Sequence, residues 1–173
     1  HAHYDLGNDF YRLWLDSTMT YSSALFEGDL TRSLADAQSA KYARILRELD
    51  AQPGQHILEV GCGWGGFAEH AARAGYRVTL ARDGQHALEL VKSDPPHVAL
   101  TDLAMAPMGG LELMGHLKRV APAVVPIVIT GYGTVEKTVE LMRAGAFNVL
   151  TKPCQTAEIT ATRRAELRRT FQK

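Results

Sequence analysis

The chain has 173 residues, with Lys plus Arg and Asp plus Glu at 19 each, 46% hydrophobic and 22% charged residues. This length suits one compact domain with an appendage, and the balanced charge offers no field for nucleic acid or an anionic membrane. With no ~20-residue apolar run, no leader pattern, and only Cys62 and Cys154 at unrelated spacing, a cytoplasmic protein without disulfides or zinc is expected, a monomer or weak homodimer whose partner is a small-molecule ligand.

In chain order, residues 9–15 read as a short aromatic-rich helix. Leu34, Ala37, Tyr42, Ile45, Leu46 and Leu49 then recur at helical spacing. Asp29 and Thr31 are the predicted N-caps of this second helix, and Pro53-Gly54 ends the segment. From His56 strands and helices alternate. Strands are predicted at 57–60, 77–81, 98–101, 127–130 and 148–150, with helices at 66–74, 85–93, 111–120, 135–144 and 156–171. Short, apolar, β-branched strands suit a parallel sheet covered on both faces, and Gly75 and Gly145 stand where helix C-caps belong. Five βα units predict an α/β, doubly wound sheet.

The run ILEVGCGWGG, residues 57–66, is strand, glycine-rich turn and helix start. Glycines let the backbone approach a ligand, and the helix N-terminus offers unpaired N–H groups, although a tight βα turn alone also needs glycine. Its surroundings sharpen the reading: HYDLGNDFYRLWLDSTMTYSSALFEG (3–28), AQSAKYARIL (37–46) and PGQHILEVGCGWGGFAEHAARAGYRVT (53–79). Together they resemble cyclopropane-fatty-acid and mycolic acid cyclopropane synthases, which are S-adenosylmethionine-dependent methyltransferases. The resemblance implies that Gly61, Cys62, Gly63, Trp64 and Gly65 line S-adenosylmethionine or S-adenosylhomocysteine, with Thr20, Tyr21 and Ser22 above it. Core packing is the plainer reading of Tyr21. Glu59 is expected to orient the loop rather than act as a catalytic acid. Ser23 stands where that family usually has cysteine, and the match stops at Thr79, before the parts implied to build a lipid tunnel and hold bicarbonate. No turnover is therefore expected.

From Val78 the chain resembles response-regulator receiver domains of the NtrC-like class through VTLARDGQHALELV (78–91), HVALTDLAMAPMGGLEL (97–113) and VPIVITGYGTVEKTVELMRAGAFNVLTKP (125–153), over residues 78–171. That resemblance implies Asp102 as phosphoacceptor, Thr130 as switch hydroxyl and Lys152 as the phosphate-pairing cation before a cis Pro153. Receivers hold magnesium with an acidic pair after the first strand, and Gly61 and Cys62 occupy those positions. No magnesium site is expected, and Asp102 and Lys152 are then read as a simple ion pair. Val149 replaces the switch aromatic, and Ala106-Pro107 follows Met105 in place of the usual Pro-x.

The two resemblances meet inside one strand with no linker, and neither part holds a whole sheet. The reading is therefore a flavodoxin-like, Rossmann-like hybrid: a helical cap over 1–52 and one α/β domain over 53–173. Within that domain 53–79 supply a methyltransferase-like β-α-β and 80–173 the receiver-like remainder, in strand order 2-1-3-4-5. Asp102 then faces the α-amino group of a bound adenosyl ligand, and Asp83 either accepts ribose hydroxyls or only caps a helix. The joint points to an engineered fusion, with natural recombination as the alternative origin. A signalling receiver module and a ligand-free scaffold are the rival functions.

Overall fold

The computed structural model describes residues 7–13, 15–131, 134–152 and 155–156. Two helices open the chain, α1 (Gly7–Tyr11) and α2 (Leu34–Glu48). There follow β1 (His56–Val60), α3 (Gly66–Arg73), β2 (Arg77–Ala81), α4 (Gly84–Ser93), β3 (Val98–Asp102), α5 (Gly110–Val120), β4 (Val125–Thr130), α6 (Val135–Ala144), β5 (Asn148–Thr151) and β6 (Gln155–Thr156). The sheet order is β2-β1-β3-β4-β5-β6. Its first five strands are parallel in the expected order, and β6 adds a two-residue antiparallel edge.

Side chains alternate across the pleat, so each strand feeds two cores. Ile57, Leu100, Ile127 and Leu150 face α2 and α3, where they meet Tyr42, Ile45, Leu49, Phe67 and Ala71. Leu58, Val60 and Ala99 point the other way, against Ala87, Val91, Leu113 and Leu117 of α4 and α5. Val128 and Val149 continue that second face against Met114 and Leu141. The cap is thus no loose appendage: α2 shares one core with β1, β3, β4 and β5. Among the described residues no helix is long and apolar enough to cross a membrane.

Several local expectations need correction. Helix α1 runs from Gly7 to Tyr11, two residues earlier than predicted, and ends well before Leu15. Asp29 and Thr31 do not cap α2. Asp29 instead accepts the Thr31 N–H and hydroxyl within its own turn, while the Ser33 hydroxyl accepts the Asp36 N–H and caps the helix. The helix stops at Glu48 with Leu49 as C-cap, short of Pro53-Gly54. Thr156, predicted as the first residue of the last helix, pairs with Leu150 in β6. The rest of that predicted helix, and Pro153, lie outside the described residues.

Candidate functional site

Parallel strands end together, and here their C-terminal ends form a crevice between β1 and β3. Val60 is in register with Ala81 on one side and Thr101 on the other, so Gly61 and Asp102 emerge at the same level. The chain then needs a turn sharp enough to reach α3. Gly61 and Gly63 adopt φ of 77° and 53°, a left-handed region costly for residues with a Cβ. The Gly65 N–H closes the turn on the Cys62 carbonyl, 2.8 Å away, and Gly65 serves as the N-cap of α3. Nothing lies within 4 Å of where a Cβ on Gly63 would project, so the loop faces open space there.

The cap closes over this loop. Thr20 and Tyr42 share a hydrogen bond of 2.6 Å, and a Cβ on Gly66 would strike the Tyr42 hydroxyl at 2.5 Å. The buried Gln38 amide donates to the Ser22 carbonyl at 2.9 Å and tethers the Thr20, Tyr21, Ser22 segment to α2. Tyr11 bridges Tyr21 and Trp64, with ring centroids 5.3 and 5.1 Å away, and the Trp64 indole donates to Asn8 at 2.8 Å. Tyr21 thus packs against Tyr11 at the cap and, still exposed, lines the cleft.

That cleft, of about 180 Å³ and open to solvent, collects most of the predicted residues. Thr20, Tyr21 and Ser22 form its roof and Gly61, Cys62, Gly63 and Trp64 its loop wall. Glu59, Asp102 and Lys152 line it as well. Three predicted residues lie outside. Gly65 caps α3 behind the loop. Asp83 caps α4 by accepting the His86 N–H at 2.8 Å and does not line this cleft. Thr130 is buried at the end of β4, where its carbonyl accepts the Lys152 N–H. Lys41 also lines the cleft although only 3% exposed, and sequence reasoning missed it because lysine reads as a surface residue. Its signal was register: it stands three residues after Gln38 and four before Ile45, on the core face of α2.

The ionisable groups differ sharply in setting. Burial pushes the Glu59 carboxyl up to about 7, against the opposing pull of the Ala68 N–H that it accepts, and its Oε2 has no hydrogen-bond partner among the described residues. Burial, followed by the nearby Glu59, raises the Cys62 thiol, which disfavours the nucleophilic thiolate. Asp102 accepts the Ala104 N–H at 3.1 Å on one oxygen and the Lys152 ammonium at 2.5 Å on the other.

A three-layer α/β sheet with a glycine loop at the β1/β3 switch point defines a flavodoxin-like, Rossmann-like fold. Comparison with known proteins then divides the chain. By its sequence it belongs to the family described as mycolic acid cyclopropane synthetase over residues 1–90, and to the response regulator receiver domain family over residues 66–164. It is 45% identical over 96 residues to a probable fatty acid methyltransferase of Mycobacterium tuberculosis, covering 51% of this chain and 22% of that protein. Cyclopropane mycolic acid synthase 1 of the same species is 56% identical over 64 residues, 37% of this chain and 22% of that one. The chain thus spans about a fifth of the length of these relatives. Among solved structures, a Burkholderia pseudomallei response regulator with a phosphorylated aspartic acid, calcium ion and citrate superposes with a TM-score of 0.55 at 27% identity, over 68% of this chain and 72% of that one. The Vibrio cholerae chemotaxis protein CheY4 gives 0.54 at 24%, over 69% and 97%, a likeness of fold alone.

The cation that the receiver family implies does not fit these residues. Magnesium binds hard carboxylate oxygens, but the β1 end supplies Gly61, without a side chain, and Cys62, a protonated thiol. Glu59 is buried and already bonded to α3. The glycine loop, by contrast, offers a ligand open space at Gly63.

Proposed function

We propose that the protein binds S-adenosylmethionine or S-adenosylhomocysteine in this cleft without turning it over. The observation that carries the reading is the convergence of the glycine loop and the Thr20, Tyr21, Ser22 roof on one cavity. The relatives that match this segment are named as methyltransferases and cyclopropane synthases. Asp102, on the adjoining strand, takes the ligand's ammonium. A cleft of about 180 Å³ is small for a whole nucleoside, since pockets for drug-sized ligands run to roughly 300–1,000 Å³. The cleft takes the amino-acid end and leaves the adenine largely exposed, so affinity is micromolar, about −8 kcal/mol. Turnover fails because the synthase-like segment is partial. The joint lies within residues 66–90, which both families claim and which run from α3 through β2 into α4, and an engineered fusion accounts for it. A genome carrying the same joint in one reading frame would contradict that origin.

Calorimetric titration with S-adenosylhomocysteine tests the reading. Gly63→Val fills the open space beside the loop and abolishes the heat signal, at a folding cost of about 1–2 kcal/mol for its left-handed backbone. An unchanged signal in a folded Gly63→Val protein places the ligand elsewhere. Release of S-adenosylhomocysteine from S-adenosylmethionine in the presence of unsaturated phospholipid contradicts the absence of turnover. Phosphoacceptor signalling has less support, because among the described residues no acidic cluster around Asp102 could hold a metal.

A further inference from the structure

We propose that the Asp102–Lys152 pair is a clamp for an α-amino acid zwitterion, so that Lys152 selects adenosyl ligands that keep their carboxylate. This rests on the adenosyl reading above and assigns the charged wall of the same cleft. Two side chains of opposite charge stand there, Asp102 at the end of β3 and Lys152 just after β5, lining the same cleft as the glycine loop. A lone anion such as phosphate meets Asp102 as well as Lys152, and a lone cation meets Lys152 as well as Asp102. A group carrying both charges on one carbon satisfies both.

The bonding capacity is available. An ammonium carries three donors and a carboxylate about four acceptor sites. One Lys152 donor goes to Asp102, and the Asp102 carboxylate takes that bond and the Ala104 N–H. The ligand's ammonium therefore joins Asp102, and its carboxylate joins Lys152, without breaking either existing bond. The pair is also exposed enough, at 35% and 29% of the two side chains, to adjust cheaply around a guest. The arrangement belongs to the hybrid: the loop comes from the synthase-like segment and the charged pair from the receiver-like one.

The test compares S-adenosylmethionine with decarboxylated S-adenosylmethionine, which keeps the ammonium and the sulfonium but loses the carboxylate. By calorimetry the wild-type protein binds the first at least tenfold more tightly. Lys152→Ala reduces that preference to less than twofold, and Lys152→Arg retains it. Equal affinity of the wild-type protein for both ligands, or a preference that survives in Lys152→Ala, overturns the clamp while leaving the adenosyl site standing. Binding of neither ligand, nor of S-adenosylhomocysteine, to the wild-type protein overturns the adenosyl reading itself.

Discussion

Glu59 concentrates the physics of the cleft in one side chain. It leaves β1 beside the glycine loop and accepts the Ala68 N–H of α3, so its acceptor role links strand to helix behind the loop. Burial raises its pKa from 4.5 to about 7, so the folded protein holds a proton that the unfolded chain releases. Its contribution to stability is therefore complete below about pH 4.5 and is lost as pH rises through about 7, to a limit of about 3 kcal/mol. Glu59→Gln keeps the acceptor and has no charge to bury. Urea unfolding at pH 5 and pH 8 should show the variant gaining up to ~3 kcal/mol over the wild type at the higher pH. Parallel pH profiles for the two proteins would deny Glu59 this role. At this scale the sequence was informative about residue type and weak about partners. Asp102 and Lys152 form the ion pair that resemblance and charge suggested, whereas Asp83 was left open between ribose and cap, and its bond to the His86 N–H shows the cap alone. Lys41 and Gln38 escaped notice because a polar residue at a core position looks like surface until its neighbours are known.

Among the elements, α2 matters most, because it converts a receiver-like sheet into a roofed cleft. Ser33 caps it, and Tyr42, Ile45 and Leu49 bury its apolar face against Ile57, Ile127 and Leu150. Ile45 is 3% exposed, so Ile45→Ala opens a cavity in that shared core at a cost of about 2–5 kcal/mol. Because the core spans both family segments, scanning calorimetry should record one transition that moves down as a unit. A separate early transition for the cap, with the remainder unmoved, would show that α2 is only loosely held. The strands were legible because apolar β-branched runs bounded by turns have few other readings. Boundaries were less so. Asp29 and Thr31 have the chemistry of N-caps, but they satisfy each other one turn too early, and Ser33 takes the position. The edge strand β6 is two polar residues long and carries no periodicity to read.

For the whole molecule, the consequential fact is that two partial families complete one sheet. β1 and β2 on one side, and β3, β4 and β5 on the other, each lack a partner that the other supplies, and the β1–β3 ladder joins them from Ile57 to Val60. That ladder also fixes the cleft, because it brings the glycine loop of one family level with the aspartate of the other. The topology was legible from the number of βα units and the position of the joint. The composite wall of the cleft was legible only in part: Asp102 was placed there from strand order, but the reach of Lys152 into it depends on β5 ending level with β3. The most direct measurement is therefore an amide chemical-shift titration with S-adenosylhomocysteine. Shared occupancy predicts that Gly61 and Gly63, Tyr21 and Ser22, and Asp102 and Lys152 all shift along one binding curve with a micromolar Kd. Shifts confined to either family segment, or none at saturating ligand, would contradict a single composite site.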